Sequence, residues 1–277
     1  MSVALAMCSM ACAAGNDLVF KQRAGAATPP ARHLALVAAV WTACFAVPAC
    51  AAPWAFDDPG LVWGAVAGLL GVVANLLFLS ALGNGEVGAC ATVFRLNLVP
   101  ATLLAVVLLG EELTLRRALA VSAALGAVVA LAGPRPGAGW SWLWLAVAAC
   151  LTRAGMGLAY KQGLIEGAST ERLLFVNGAM WLLGSLLWMA LTWRNERPWR
   201  RGDVGWGAFS GLLICGNVLF LTMALARAPL TDVLPITQLG FVATMLTATL
   251  VFREAFTARK LAALGLGATC IILLGIP

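Results

Sequence analysis

Charge is scarce in this sequence. Asp, Glu, Lys and Arg make up 11% of its 277 residues, against roughly 25% in an ordinary globular chain. A soluble protein needs polar side chains to cover its outside, and this one has too few. With hydrophobic residues at 62%, lipid must cover the rest. Histidine occurs once, as His33, which excludes a histidine-built metal site or catalytic triad within the membrane. His-Glu-x-x-His, Gly-x-Ser-x-Gly and a phosphate-cradling loop are all missing. An intramembrane enzyme is therefore the least supported class, and neither a cofactor nor a metal is expected. The eight cysteines include no Cys-x-x-Cys and lie in or beside apolar runs, where free thiols act as small hydrophobes. The net charge of +6 comes from short clusters between those runs. It makes no basic face and carries no aromatic RNA-binding motif. Nucleic acid is excluded as a partner, and contact with anionic lipid head groups is expected.

What the sequence does have is apolar length. A helix crosses the hydrocarbon with about 20 apolar residues. Ten segments qualify: 2–21, 34–54, 61–82, 87–109, 115–133, 140–161, 172–193, 204–226, 230–252 and 258–276. They leave no room for an extramembrane domain. The connections carry turn residues, as in Thr28-Pro29-Pro30 and Asp57-Asp58-Pro59-Gly60. Trp140, Trp142, Trp144, Trp193, Trp199 and Trp206 stand at span ends, where amphipathic rings prefer the interface. Because backbone polar groups in lipid need internal partners, the spans are read as helices. Ala11-Cys12-Ala13 resembles a leader-cleavage site. No positive residue precedes that apolar run, however, and the segment has an internal counterpart, so it is read as the first span.

That counterpart belongs to a repeat with an offset of 140 to 143 residues. Phe20-Lys21-Gln22 ends the first span, and Tyr160-Lys161-Gln162 ends the sixth. Trp63-Gly64-Ala65-x-x-Gly68 in the third recurs as Trp206-Gly207-Ala208-x-x-Gly211 in the eighth. Asn75-x-Leu77-Phe78-Leu79-Ser80 recurs as Asn217-x-Leu219-Phe220-Leu221-Thr222, and Glu111-x-x-Thr114 as Glu254-x-x-Thr257. Apolar helices match by chance at Leu and Ala, but ordered Lys-Gln, Trp-Gly and Asn pairs are a stronger signal. Five spans per unit is odd, so the second unit enters the membrane from the opposite side. The expected fold is an all-α membrane protein with ten transmembrane helices in two inverted five-helix repeats. Alternating-access carriers use this architecture, with a site near mid-membrane.

Gly88 through Val99-Pro100, then Leu108-Leu109-Gly110-Glu111 and the fifth span, resembles the EamA repeat of the drug/metabolite transporter superfamily. The ninth and tenth spans, through Arg253-Glu254, resemble its second copy. The resemblance covers residues 1–133 (spans one to five) and 140–277 (spans six to ten). It implies a secondary active carrier of a small metabolite or drug-like solute, as a multi-pass protein of the plasma (inner) membrane. The small-molecule solute and the lipid bilayer are its implied partners. Two departures stand out: Phe252-Arg253-Glu254 replaces the usual glycine before the second glutamate, and glycine spacing in the last span is only partly kept. A channel or a non-transporting multi-pass protein is the alternative, but the sequence shows no filter-like stretch or ring of charge. Orientation is contested. Loops after odd-numbered spans hold 11 Lys and Arg, against 5 after even-numbered spans. That bias puts the termini outside, whereas the family resemblance puts them in the cytoplasm.

Charged groups at membrane depth are costly and so are functional candidates. Arg95 falls about 4–5 Å from the centre of span four, and Arg153 about 3 Å from that of span six on the other side. Asp17 shares the side of Arg95, so an Asp17–Arg95 pair is possible while Arg153 stands at another level. Lys21, one turn beyond Asp17, is the expected local partner of that carboxylate; its repeat mate is Lys161. Asp17 is also the candidate for proton coupling, since a carboxylate away from water takes a proton unless a cation holds it ionised. Two mid-membrane arginines against one carboxylate favour a solute bearing a carboxylate or phosphate. Arg95, Arg153, Asn75, Asn217 and Gln238 are the solute-binding candidates. For Asn75 and Asn217, interhelical hydrogen bonding competes with lining the path. Gly64-x-x-x-Gly68 and Gly207-x-x-x-Gly211 are read as close helix contacts. Pro48, Pro100 and Pro235 are expected to interrupt their helices.

Overall fold

An apolar helix in lipid has no polar face to turn outward, so residue size decides which side it buries. The helix Pro59–Asn84 shows this. Asp58 caps its start by accepting from the Gly60 amide at 2.7 Å, and Pro59 occupies the first turn. Gly64, Ala67, Gly68, Gly71 and Asn75 are buried along one side, while Val62, Val66, Leu69 and Val73 face outward.

The structure, a computed structural model, describes residues 2–25, 29–51, 57–109, 114–131, 141–192, 201–225, 227, 237, 240–251, 253, 255 and 257–275. Its helices are α1 (Ser2–Gly25), α2 (Pro30–Cys50), α3 (Pro59–Asn84), α4 (Val87–Arg95), α5 (Leu98–Leu109), α6 (Leu115–Leu131), α7 (Ser141–Ile165), α8 (Thr170–Thr192), α9 (Arg201–Leu225), α10 (Gly240–Val251) and α11 (Ala258–Gly275). Together α4 and α5 form the fourth of ten spans. Six helices, α1, α2, α3, α7, α8 and α9, are each long and apolar enough to cross a membrane unbroken.

The packing repeats across a two-fold relation. α3 lies on α7 as α1 lies on α9; α3 lies on α8 as α2 lies on α9; α4 meets α7 as α1 meets α10. The pairs α2–α8, α4–α10 and α6–α11 are their own mates. The glycines explain two of these crossings. A Cβ on Gly68 would sit 2.6 Å from the Asn177 carbonyl oxygen on α8, and one on Gly211 would sit 2.6 Å from Val40 Cβ on α2. The repeats are inverted. Lys21 donates to the carbonyls of Leu82 and Gly85 at the C-terminal end of α3, at 3.0 and 2.8 Å. Gly163, two residues beyond Lys161, packs on Trp63 at the opposite end.

The fourth span breaks at Leu96–Asn97 because of Pro100. A continuous helix would offer the Leu96 carbonyl to the amide of residue 100, and proline has none. Val99 takes that carbonyl instead, at 2.9 Å. Asn97 covers another exposed acceptor, donating from Nδ2 to the Phe94 carbonyl at 2.8 Å. α4 therefore ends inside the bundle, with Arg95 at its last turn.

Candidate functional site

A central cavity collects polar side chains that the sequence scatters. Its free interior is narrow, about 30 Å³. α1 supplies Asn16 and Asp17, α3 supplies Asn75, α4 supplies Arg95, α7 supplies Arg153, and α9 supplies Asn217. α2 adds Trp41, and α8 adds Asn177 and Trp181.

Asp17 and Arg95 form an ion pair of 2.9 Å, with the residues 3% and 7% exposed. Thr244 on α10 donates to the same carboxylate oxygen at 3.2 Å. One carboxylate thus ties α1, α4 and α10 together. Arg153 takes no carboxylate among the described residues. Its guanidinium stands over the Phe94 ring at 5.6 Å, and that ring stacks on Phe78 at 4.3 Å and 13°. Among the described residues, Asp17, Arg95 and Arg153 are the charged ones lining the cavity, and together they carry one net positive charge. The asparagines are tethered differently. Asn75 donates to the Gly71 carbonyl of its own helix at 2.8 Å, whereas Asn217 accepts from Ser9 of α1 at 3.1 Å and Asn16 from Ser210 of α9.

The model of the EamA-like transporter family matches this sequence over residues 1–133 and again over 140–276. The chain belongs to that family. Membership makes it a multi-pass membrane protein of a transporter family rather than an enzyme, and points to a small solute as its cargo. No curated protein matches the sequence. Among solved structures, one crystal structure is similar over 98% of this chain and 95% of its own, at 19% identity and a TM-score of 0.66. That likeness shows the fold.

Within this EamA-like chain, two expectations need correction. Lys21 is not the partner of Asp17: its ammonium caps the carbonyls that end α3, where the helix dipole is negative. Asp17 turns to Arg95 instead. Arg153 does not stand at a separate level. It shares the cavity with Arg95 and Asp17 and lies within electrostatic range of both. The depth reckoning assumed an unbroken fourth helix, and the break after Arg95 removes that assumption. Lys161 is half-buried near the end of α7 and does not line the cavity. Gln238, Glu111, Glu254 and Pro235 lie outside the described residues.

Sequence reasoning missed α2 and α8 as cavity walls. The signal was present, since Trp41 and Trp181 recur at the same offset of 140 that links Lys21 to Lys161. Their rings meet edge-on at 5.3 Å and 63°, across the α2–α8 contact.

Proposed function

We propose that this EamA-like chain is a secondary active transporter that moves a small metabolite by alternating access, binding it in the central cavity through an anionic group. One observation carries the anionic preference. Among the described residues, the cavity's one carboxylate is committed to Arg95, which leaves Arg153 as the cation without an acid. Arginine suits a carboxylate or a phosphate because its planar fork can meet two oxygens at once. The inverted repeats support alternating access, since exchanging the conformations of two equivalent halves turns the opening from one side to the other. In this reading the Asp17–Arg95 pair joins α1 to α4, Asn75 and Asn217 line the path, and the protein resides in the plasma (inner) membrane.

Counterflow in proteoliposomes tests the reading. A carrier preloaded with unlabelled solute accumulates labelled solute, whereas a pore does not. With a panel of small carboxylates and phosphate esters, the wild type should exchange at least one, and Arg153→Gln should lose that exchange while still reaching the membrane. Undiminished exchange of every anion by Arg153→Gln would end the proposal.

A further inference from the structure

The walls of the cavity come from two equivalent halves, yet they are finished differently. On the α1 and α4 side, each polar side chain is tied to the protein, with only the Arg95 Nε left over: Asp17 holds Arg95, and Asn16 accepts from Ser210. On the α7 and α8 side they are not. Asn177 Nδ2 and Trp181 Nε1 have no hydrogen-bond partner among the described residues, although those residues are only 1% and 2% exposed. The Tyr160 hydroxyl lies within interaction range of the Asn177 side chain, with no well-aligned hydrogen bond between them. Buried donors are nearly always satisfied, so the Asn177 amide and the Trp181 indole beside an acid-free arginine need a reason.

The repeat shows that this is specific to the second half. At the offset of 140, Arg153, Tyr160 and Asn177 correspond to Ala13, Phe20 and Val37. Only the tryptophans are shared, and their fates differ. The Trp41 indole donates to the Leu174 carbonyl at 2.9 Å. Trp41 can lie that close to α8 because residue 178 is glycine; a Cβ there would stand 2.7 Å from Trp41 Cδ1. The mirrored position on α2 is Ala38, which carries that very atom. Trp181 therefore has no mirrored seat from which to reach the Leu34 carbonyl, and its N–H stays unanswered.

We infer that Arg153, Asn177 and Trp181 form the subsite for one carboxylate of the transported solute, a conclusion that rests on the solute binding in this cavity. The guanidinium neutralises the carboxylate, and the amide and indole N–H groups donate to its oxygens. The single net positive charge that the described residues bring to the cavity matches a monoanion. A phosphate dianion would need a second cation, and Arg95 is held by Asp17. Phe78, Phe94 and the two tryptophan rings surround the remainder of the solute with apolar surface.

Labelled benzoate, with inorganic phosphate as competitor, tests this on the purified full chain in detergent. Wild type should bind benzoate in preference to phosphate and melt at a higher temperature in its presence. Trp181→Phe and Asn177→Val should each weaken benzoate binding about tenfold or more, the loss expected for one hydrogen bond to a charged group. Without benzoate, Trp41→Phe should lower the melting temperature because it breaks the bond to Leu174. Trp181→Phe should not, since it removes a donor that has no partner. Loss of binding in Arg153→Gln alone, with both other variants at wild-type affinity, overturns the subsite and keeps the cavity. Wild-type affinity in Arg153→Gln overturns the cavity reading itself. Phosphate bound more tightly than benzoate overturns the carboxylate assignment, and a wild type that binds neither overturns both readings.

Discussion

Gly64 and Gly68 seat α3 on α8, and Gly207 and Gly211 seat α9 on α2, at nearly the same closeness. The charged groups that the two halves bring to the cavity share no such likeness: the first half brings Asp17 and Arg95, and the second brings Arg153. Scaffold and chemistry have separated. Helix crossings depend on small residues and tolerate little change, because a displaced backbone disturbs every neighbour along the helix. Cavity side chains touch few neighbours, so one half can acquire charges the other lacks without altering how the helices cross.

The sharpest way to test this separation is to remove the acid. Asp17→Asn leaves Arg95 charged and buried, and should cost about 3–5 kcal/mol of stability. Arg153→Gln should cost only about 1 kcal/mol or less, the worth of a cation over a ring. Thermal unfolding of both in one detergent measures the contrast, and equal losses would mean that Arg153 is also structural. Next come the crossings. Gly68→Leu and Gly211→Leu should each cost about 3 kcal/mol from overpacking, seen as loss of monodisperse protein. If only one of them harms folding, the two crossings are not energetic equivalents.

A smaller effect is expected at Arg253, which stands where the family resemblance expects glycine and adopts a left-handed φ of 51°. Arg253→Gly should raise stability by about 1 kcal/mol by relieving that strain. The smallest effect concerns the end of the bundle that holds Glu166. Hydrogen bonds from Gln162 and from Trp63, the latter at 2.7 Å, hold its carboxyl below the usual value of 4.5. A lowered folded-state value means that this contribution is complete above pH 4.5 and fades as pH falls through the folded value. Trp63→Phe should therefore melt slightly below wild type at neutral pH, and the gap should close in acid.

Much of this was legible in the sequence, for physical reasons. Lipid demands long apolar runs, so the spans could be counted, and inversion follows from five spans per unit. Charge within those runs marked Asp17, Arg95 and Arg153 without any knowledge of the fold. Asn177 went unnoticed because its mate is Val37, and repeat matching finds what two halves share rather than what one adds. Trp41 and Trp181 went unnoticed for the opposite reason: an apolar ring looks alike whether or not its N–H has a partner. Trp142, taken for an interface anchor, is 4% exposed and packs inside. Direction along a helix can be read from sequence, but rotation about its axis needs the neighbours.

The break after Arg95 makes α4 a nine-residue piece with a joint at Leu96–Asn97. Phe94 offers one face to Phe78 and lies beneath Arg153, while the next residue grips Asp17. If the piece swivels at that joint, all three grips must slip in the same instant, because none can yield while the others hold. Such a part behaves like a latch with two positions rather than a dial, and whatever pulls on Arg153 tugs the latch through the ring beneath it.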